Sequence, residues 1–449
     1  MLRNIQKNKI FKFLSLSLGV TTSQIALILI GISDSIMMGR QNSVGLAAGT
    51  WVASVYNLGL LFCMGMIIPI AILIGRIKNR NSGNEQAKII AGYCRVVFIL
   101  SLGVIVFLLA VVRANSLFGK DDMVLEIAEK YAWGIVPGIF PWIMFYLIRN
   151  ILLCSQRVKM TTLLSMMSVI LNIFLNYVFI YGIGKFKGMG ALGCSVATSI
   201  TNWIVCLMAL GMMKKNSTVF SCNMKVFFSK SHYGSEIWKL GFPTGLMFFS
   251  ESLIFAVGNS LLASISTTAV VAFGIAVSWL NLSYMFPVAL SQVLTEPLAE
   301  YHALGKKKEF VSMSQSSLWV TLIYNLLWIV AIVLFRKWLI YAIVGKNCTT
   351  PIFILAEQFL YIMTAIIFAY NFIVVLSGIL RGFGDVKTPL LMMIIMYWGI
   401  GVGGTILLTQ FMGVYGVLFG MLIGFWLTFI GTWGTYRKKI LEEFSEAGK

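Results

Sequence analysis

The segment QIALILIGISDSIMMGR, from Gln24 to Arg40, is almost entirely apolar, and Asp34 is its only carboxylate. About 20 mostly apolar residues span the hydrocarbon core of a membrane, and the apolar run that includes this segment is long enough. An Asp near the middle of a membrane helix costs roughly 2.5 to 3.5 kcal/mol on insertion scales. The segment therefore predicts a first membrane helix whose carboxylate is functional, or one that ends in water where Arg40 could pair with Asp34.

The composition extends this interpretation to the whole chain. Of 449 residues, 59% are hydrophobic and 11% are charged, with a mean hydropathy of +0.88, whereas about 25% of a typical soluble domain is charged. The seven cysteines are odd in number and show no CxxC or Cys/His spacing, so neither a disulfide framework nor a metal site of that kind is expected. The sequence predicts an all-α polytopic membrane protein.

Twelve apolar stretches have the length of a membrane helix. Their centres lie near Leu27, Leu60, Leu102, Ile135, Leu171, Val205, Ile254, Met285, Leu326, Ile366, Met396 and Ile423.

The basic residues give an independent test of this count, because Lys and Arg stay preferentially in cytoplasmic loops. Of the 35 Lys and Arg, 25 fall at the termini and in the even-numbered loops, nine fall in the odd-numbered loops, and Arg95 lies at a helix end. Both termini are therefore expected in the cytoplasm, in a multi-pass protein of the plasma membrane. Most of the net charge of +19 therefore comes from basic residues that orient the protein in the bilayer. No nucleic-acid partner is expected.

The two halves of the chain can be aligned on each other. The segment at 45–76 parallels 269–300, each with a proline, and 151–164 parallels 379–392. The pattern predicts two lobes of six helices each, residues 1–222 and 223–449, related by a pseudo-twofold axis normal to the membrane. Repeats of this kind serve transport by alternating access around a central cavity.

The ordered motifs resemble the multidrug and toxic compound extrusion (MATE) family, and most closely its NorM-like branch. The resemblance rests on SDSIMMGRQNSVGLAA (33–48), NSGNEQA (81–87), LNIFLNYVFIYG (171–182), MGALGCSVATSITNW (189–203) and ILRGFGDVKTPL (379–390). It covers nearly the whole chain. It implies a monomeric antiporter of the bacterial inner membrane that exports amphipathic, cationic organic compounds in exchange for H⁺ or Na⁺, without a cofactor.

One predicted cation site is built on Asp34. Asn172 and Asn176 are four residues apart and therefore share one face of the fifth helix, and the resemblance makes them neighbours of Asp34. Amide and carboxylate oxygens suit Na⁺, or a hydrogen-bonded network around a protonatable Asp, although bonding between helices would also explain the amides. Thr198 is a further candidate ligand. Some family members carry a second acid where Asn176 stands, and its absence favours H⁺ over Na⁺.

A second predicted site is built on Glu251, which is flanked by apolar residues for about a turn on both sides. A Glu in such surroundings can hold a proton and release it on wetting, or it can serve as a permanently protonated structural group. Asn259 lies two turns further along the helix and is expected to line the substrate cavity. The partner carboxylate of related proteins falls at Tyr370 or Asn371, which are expected to line the substrate cavity.

The remaining charged residues suggest no other activity. Glu296 and Glu300 are expected at a solvated helix end, and Arg149 and Arg381 in cytoplasmic loops, so the charges expected within the membrane are acidic. These acids favour a cationic substrate over the alternative function, flipping of a lipid-linked precursor. There is no Walker motif and no nucleophile with a base at suitable spacing, so the chain is not expected to be an enzyme.

Overall fold

The structure is a computed structural model that describes residues 2–78, 83–116, 122–215, 232–345 and 349–445. Fifteen α-helices and one two-stranded hairpin account for most of the described residues. Their bounds are α1 Leu2–Gln41, α2 Ser43–Ile67, α3 Ile70–Ile77, α4 Gly83–Ser116, α5 Asp122–Ile135, α6 Ile139–Cys154, α7 Val158–Asn176, β1 Gly182–Ile183, β2 Phe186–Lys187, α8 Ala191–Lys215, α9 Gly234–Ala263, α10 Thr267–Ala303, α11 Lys307–Val344, α12 Thr350–Phe383, α13 Lys387–Met392, α14 Val402–Met412 and α15 Val414–Ser445.

The prediction of twelve membrane spans is confirmed among the described residues. Twelve helical stretches are long and apolar enough to cross a membrane, and each contains one of the predicted centres. Four of these spans combine shorter elements: α2 with α3, α5 with α6, α7 with a π-helical turn, and α13 with a π-helix and α14. The all-α fold class is therefore also confirmed.

Local sequence explains where several helices begin and break. Asn42 caps α2, because its side chain accepts a hydrogen bond from the amide of Val44 at 2.9 Å. Pro69 lies between α2 and α3 and has no amide hydrogen to continue the helical ladder. Pro287, its counterpart in the sequence repeat, lies inside the continuous helix α10. The two halves therefore differ at this matched position.

The chain divides into two compact units. The first unit is Gly19–Phe249, and the second unit is Met1–Leu18 together with Ser250–Lys449. Helices α1 and α9, the first helices of the two sequence repeats, therefore each contribute to both units. The predicted boundary between residues 222 and 223 lies outside the described residues, and it stays a prediction.

In the first unit, two glycines bring α5 and α6 close to α8. A Cβ atom at Gly134 would lie 2.1 Å from Ser195 Oγ, and one at Gly138 would lie 2.7 Å from the Cα of Ser199. Ser199 Oγ donates a hydrogen bond to the carbonyl of Gly134 at 2.7 Å. Small residues at a helix interface permit such close packing in membranes. This contact holds α8 beside α5.

In the second unit, α10 packs tightly along α12. A Cβ at Gly378 would lie 2.3 Å from Ser291 Oγ, and a Cβ at Gly382 would lie 2.6 Å from the Cβ of Leu298. These glycines are four residues apart on one face of α12. Leucine, phenylalanine and other apolar side chains of both helices form a buried cluster around this contact. The two helices therefore form the core of the second unit.

The turn between α12 and α13 is held by Asp385. Its carboxylate accepts hydrogen bonds from Lys439 Nζ at 2.8 Å and from the amide and hydroxyl of Thr388 at 3.0 and 2.6 Å. Burial acts to raise the pKa of Asp385, but these hydrogen bonds and the charge of Lys439 outweigh it and hold the pKa below its usual value. Ionised Asp385 therefore stabilises this turn.

Candidate functional site

Asp34 lies within the first unit, on α1, and only 9% of its surface is exposed. Asn176 Nδ2 on α7 donates a hydrogen bond to Asp34 Oδ1 at 2.5 Å. Thr198 Oγ1 on α8 lies 3.5 Å from Asp34 Oδ2. The carboxylate is thus enclosed by polar groups from two other helices, within a span that is otherwise mostly apolar.

The two asparagines form a continuous pair, as their spacing predicts. Asn176 Nδ2 also donates to Asn172 Oδ1 at 3.1 Å, and Asn172 Nδ2 lies 3.4 Å from Thr198 Oγ1. Both asparagines are fully buried. The structure therefore brings together all four residues that the sequence placed in the first site. Their role in binding a cation stays a prediction.

One neighbour of the Asp34 site was missed in the sequence. The carbonyl of Cys194 on α8 accepts a hydrogen bond from Thr198 Oγ1 at 3.0 Å, and Cys194 is buried. A cysteine in an apolar span carries no distinguishing pattern, although Cys194 lies one turn before Thr198 and therefore on the same helix face.

The second unit contains the second predicted site residue with a carboxylate, Glu251 on α9, of which 5% is exposed. Its Oε2 accepts hydrogen bonds from the hydroxyls of Tyr284 at 3.1 Å and Tyr370 at 3.3 Å. The two phenol rings stack with centroids 4.8 Å apart. Oε1 has no hydrogen-bond partner among the described residues. Tyr370 was a predicted site residue, whereas Tyr284 was missed.

The other two predicted residues of this region do not join Glu251. Asn371 Nδ2 donates to Asn325 Oδ1 at 2.7 Å and to Ser283 Oγ at 3.2 Å, which forms a separate buried polar group. Asn259 is exposed on α9, and in the described part of the chain it makes no hydrogen bond to Glu251. Of the three predicted cavity residues, only Tyr370 therefore contacts the acid.

Three expectations about the remaining charged residues were wrong. Arg149 lies inside α6 and is fully buried, and Arg381 lies in α12 and is 4% exposed, so neither is a loop residue. Glu296 is also buried rather than solvated. The buried charges of the spans are therefore of both signs.

The buried arginines are bonded within their own units. Arg149 donates from Nε and Nη2 to Ser23 Oγ at 3.2 and 2.8 Å, and Arg381 donates from Nη2 to Ser291 Oγ at 2.6 Å. The guanidinium of Arg149 also lies 5.5 Å from the ring centroid of Tyr146. These contacts lower the free-energy cost of burying the two cations.

The chemistry of the Asp34 site fits a small cation. The oxygens of Asp34, Asn172, Asn176 and Thr198 are of the kind that hard cations prefer, and Asn176 Oδ1 is buried without a hydrogen-bond partner among the described residues. Among the described residues there is no cluster of three or more His, Cys, Asp or Glu side chains that could hold a metal ion. A proton on Asp34 or a weakly held alkali ion fits this donor set better than a transition metal.

Comparison with known proteins gives consistent results. The family model MatE matches residues 20–178 and 243–407. "Probable multidrug resistance protein NorM" from Mannheimia succiniciproducens is 27% identical over 431 residues, covering 92% of this chain and 89% of that protein. A protein of the same name from Bacillus licheniformis is 26% identical, covering 93% of both chains.

Solved structures show the same fold. A multidrug resistance MATE family transporter of the MOP superfamily, in its outward-facing conformation, matches with a TM-score of 0.85 and 19% identity, over 96% of this chain and 95% of that one. The eukaryotic MATE transporter AtDTX14 matches with a TM-score of 0.78 and 17% identity, over 98% of both chains. The two-lobe fold predicted from the repeat is confirmed by these likenesses.

Proposed function

The chain belongs to the MatE family of transporters, and from this premise we propose that it is a cation-coupled antiporter that exports small organic compounds from the cell. The observation that carries the proposal is Asp34, a buried carboxylate within a membrane span that is bonded to Asn176 and lies beside Thr198. Burial of an ionisable group within a membrane span costs free energy, and such groups typically belong to ion pathways. The relatives named as multidrug resistance proteins support an export role.

The proposed mechanism is alternating access. A cation from outside binds Asp34 or Glu251 and changes the relative stability of the outward-facing and inward-facing states, because it binds one state more tightly than the other. The substrate leaves in exchange. Holding a neutral solute at a hundredfold gradient requires about 2.7 kcal/mol, and one charge crossing 100 mV supplies about 2.3 kcal/mol. For a neutral substrate, one cation with a modest concentration gradient is therefore sufficient.

We favour the proton as the coupling cation. Each carboxylate contributes a single negative charge, and the groups bonded to Glu251 are two phenol hydroxyls that donate to it. One proton neutralises such a site without further ligands, whereas a hard cation requires several oxygens around it. Na⁺ at Asp34, Asn172 and Asn176 is the competing possibility.

The proposed substrates are amphipathic organic cations. Asp34 and Glu251 can attract positive charge, and methionine and aromatic side chains provide adaptable, cation-compatible surfaces. The alternative of flipping an anionic lipid-linked precursor gains no support from Arg149 and Arg381, because both guanidinium groups are bonded to serines inside their own units. The protein is proposed to act as a monomer in a bacterial plasma membrane, with both termini in the cytoplasm.

The test is drug efflux from vesicles with an imposed pH or Na⁺ gradient. Asp34→Asn and Glu251→Gln should each reduce gradient-driven export. The matched control is Glu126→Gln, because Glu126 is an exposed acid paired with Lys130. Undiminished coupled export in both site variants would reject the assignment, and stimulation by Na⁺ alone at fixed pH would reject the preference for protons.

A further inference from the structure

Arg149 on α6 is a fully buried cation that the proposed mechanism does not use. It lies within the span Met123–Cys154, about 8 Å of helix before the end of that span. Arginine stays protonated in proteins, and a buried charge is normally paired with an opposite charge. The surroundings of this guanidinium should therefore include a negative group.

The described contacts of Arg149 are all with neutral groups. Nε and Nη2 donate to Ser23 Oγ on α1 at 3.2 and 2.8 Å, and the Tyr146 ring centroid lies 5.5 Å from the guanidinium carbon. Nη1 is buried and has no hydrogen-bond partner among the described residues. None of the ion pairs between described residues includes Arg149. One edge of the guanidinium is thus bonded to a hydroxyl, and Nη1 has no described acceptor.

The buried acids do not supply the missing charge. Among the described residues of the first unit, Asp34 is the one buried carboxylate. It lies on α1 about 16 Å along the helix from Ser23, and its described bonds are to α7 and α8. Glu251 and Glu296 belong to the second unit. The positive charge of Arg149 is therefore not compensated by any described carboxylate.

The position of Ser23 is fixed by the packing of α1 on α7. One turn before Ser23, a Cβ at Gly19 would lie 2.6 Å from Val158 Cγ1, and Thr162 Oγ1 donates to the Gly19 carbonyl at 2.9 Å. Ser23 lies four residues further on the same face of α1, and there it accepts both hydrogen bonds from Arg149. The guanidinium therefore has a defined orientation, as a binding site requires.

Complete burial limits which group can supply a negative charge at Nη1. A lipid phosphate or a substrate carboxylate would bring the rest of its molecule to a side chain of which 0% is exposed. A small free anion has no such remainder. A single negative charge also matches the single guanidinium, so a monovalent ion of the size of chloride fits best.

We propose that the first unit binds a small inorganic anion of the chloride type at Nη1 of Arg149, where it neutralises the buried guanidinium beside α1. Neither Asp34 nor a coupling cation takes part, so the site does not depend on the proposed export function. The stability of the protein should therefore depend on chloride through this one side chain.

The experiment measures thermal unfolding of the purified full-length protein while sodium gluconate is replaced by sodium chloride or sodium bromide at constant pH and ionic strength. Wild type should unfold at a higher temperature as either halide rises, because a ligand of the folded state stabilises it. Arg149→Gln removes the cation and should lose this response. Arg149→Lys keeps the charge without the planar guanidinium, and it should need about tenfold more chloride, equivalent to about 1.4 kcal/mol.

The matched control is Arg76→Gln, because Arg76 is an arginine of the same unit that already pairs with Glu236 at 2.9 Å. It should respond to chloride as wild type does. If Arg149 only bonds Ser23, Arg149→Gln should lower the unfolding temperature equally in gluconate and in chloride, and that result would overturn the inference. Equal halide responses in wild type, Arg149→Gln and Arg149→Lys would overturn it as well.

Diffraction from wild-type crystals grown in bromide gives a measurement that does not depend on the folding of any variant. Anomalous scattering should place a bromide ion beside Nη1 of Arg149. An ordered water at that nitrogen, with bromide found only at the protein surface, would contradict the proposed anion site.

Discussion

Replacement of Asn176 by aspartate should convert the Asp34 site into one that binds Na⁺. Asn176 Nδ2 lies 2.5 Å from Asp34 Oδ1, so Asn176→Asp would place a second carboxylate directly against the first. Two unit charges held at about 3 Å repel by about 5 kcal/mol at an effective dielectric constant of about 20. Both carboxylates cannot stay ionised in that geometry without a cation between them. The variant must therefore share a proton or take up a metal cation.

The assay is thermal unfolding of the purified protein in NaCl against choline chloride at equal ionic strength. A ligand that binds only the folded state at 100 times its dissociation constant stabilises it by about 2.7 kcal/mol. Asn176→Asp should therefore unfold at a higher temperature in NaCl, whereas wild type should respond weakly. The response should strengthen as the pH rises, because protons compete with Na⁺ for the carboxylates.

The double variant Asn176→Asp with Asp34→Asn is the matched control. It again has a single carboxylate, now on α7, and its Na⁺ response should fall back to the level of wild type. If Asn176→Asp and wild type respond alike to Na⁺ at every pH, the reasoning that charge count sets the ion preference is refuted.

Three further predictions concern the second unit, and each is checked by thermal unfolding. Tyr284→Phe removes one donor to Glu251 and should destabilise the protein by about 1 to 3 kcal/mol; an unchanged unfolding temperature would show that this bond is not formed. Gly382→Ala forces a Cβ to within 2.6 Å of α10 and should cost about 1 to 3 kcal/mol, whereas Gly403→Ala, with open space around its Cβ, should not destabilise. Asp385→Asn should cost about 1 kcal/mol at neutral pH. Because the pKa of Asp385 is lowered in the folded state, its contribution is present above the ordinary value of 3.8 and is lost as the pH falls through the folded-state pKa. The difference from wild type should therefore disappear in acid, and a constant difference at all pH values would contradict this.

The sequence was sufficient to predict the membrane spans, because an apolar run of about 20 residues can cross a membrane in few structures other than an α-helix. It was also sufficient to place Asn172 and Asn176 on one helix face, because helical periodicity requires it. Their contact with Asp34 came from the family resemblance, since no local pattern relates α7 to α1. Helical periodicity relates residues within one helix and does not predict contacts between different helices.

The misses have specific physical reasons. Tyr370 and Asn371 are adjacent, and adjacent helical residues point about 100° apart, so the sequence could not decide which one faces Glu251. Tyr284 comes from α10, a different helix. Arg149 and Arg381 follow apolar runs and were predicted to lie in loops, but their helices continue past them. Hydrogen bonds to serine hydroxyls lower the free-energy cost of burying the two guanidinium groups.

The number of protons that the two candidate coupling acids, Asp34 and Glu251, load in each cycle determines how an exported cation could be driven. Exchange of one proton for one monovalent organic cation moves no net charge, so the membrane potential contributes nothing and only the pH gradient drives export. If Asp34 and Glu251 each load a proton, the exchange moves one net charge, and 100 mV adds about 2.3 kcal/mol. Glu251→Gln should then remove the dependence of export on membrane potential while leaving its dependence on the pH gradient. Efflux of a monovalent cation from vesicles, with the potential set by a potassium gradient and valinomycin, measures the two dependences separately. A dependence on potential that survives in Glu251→Gln would show that Asp34 alone carries more charge than a single proton.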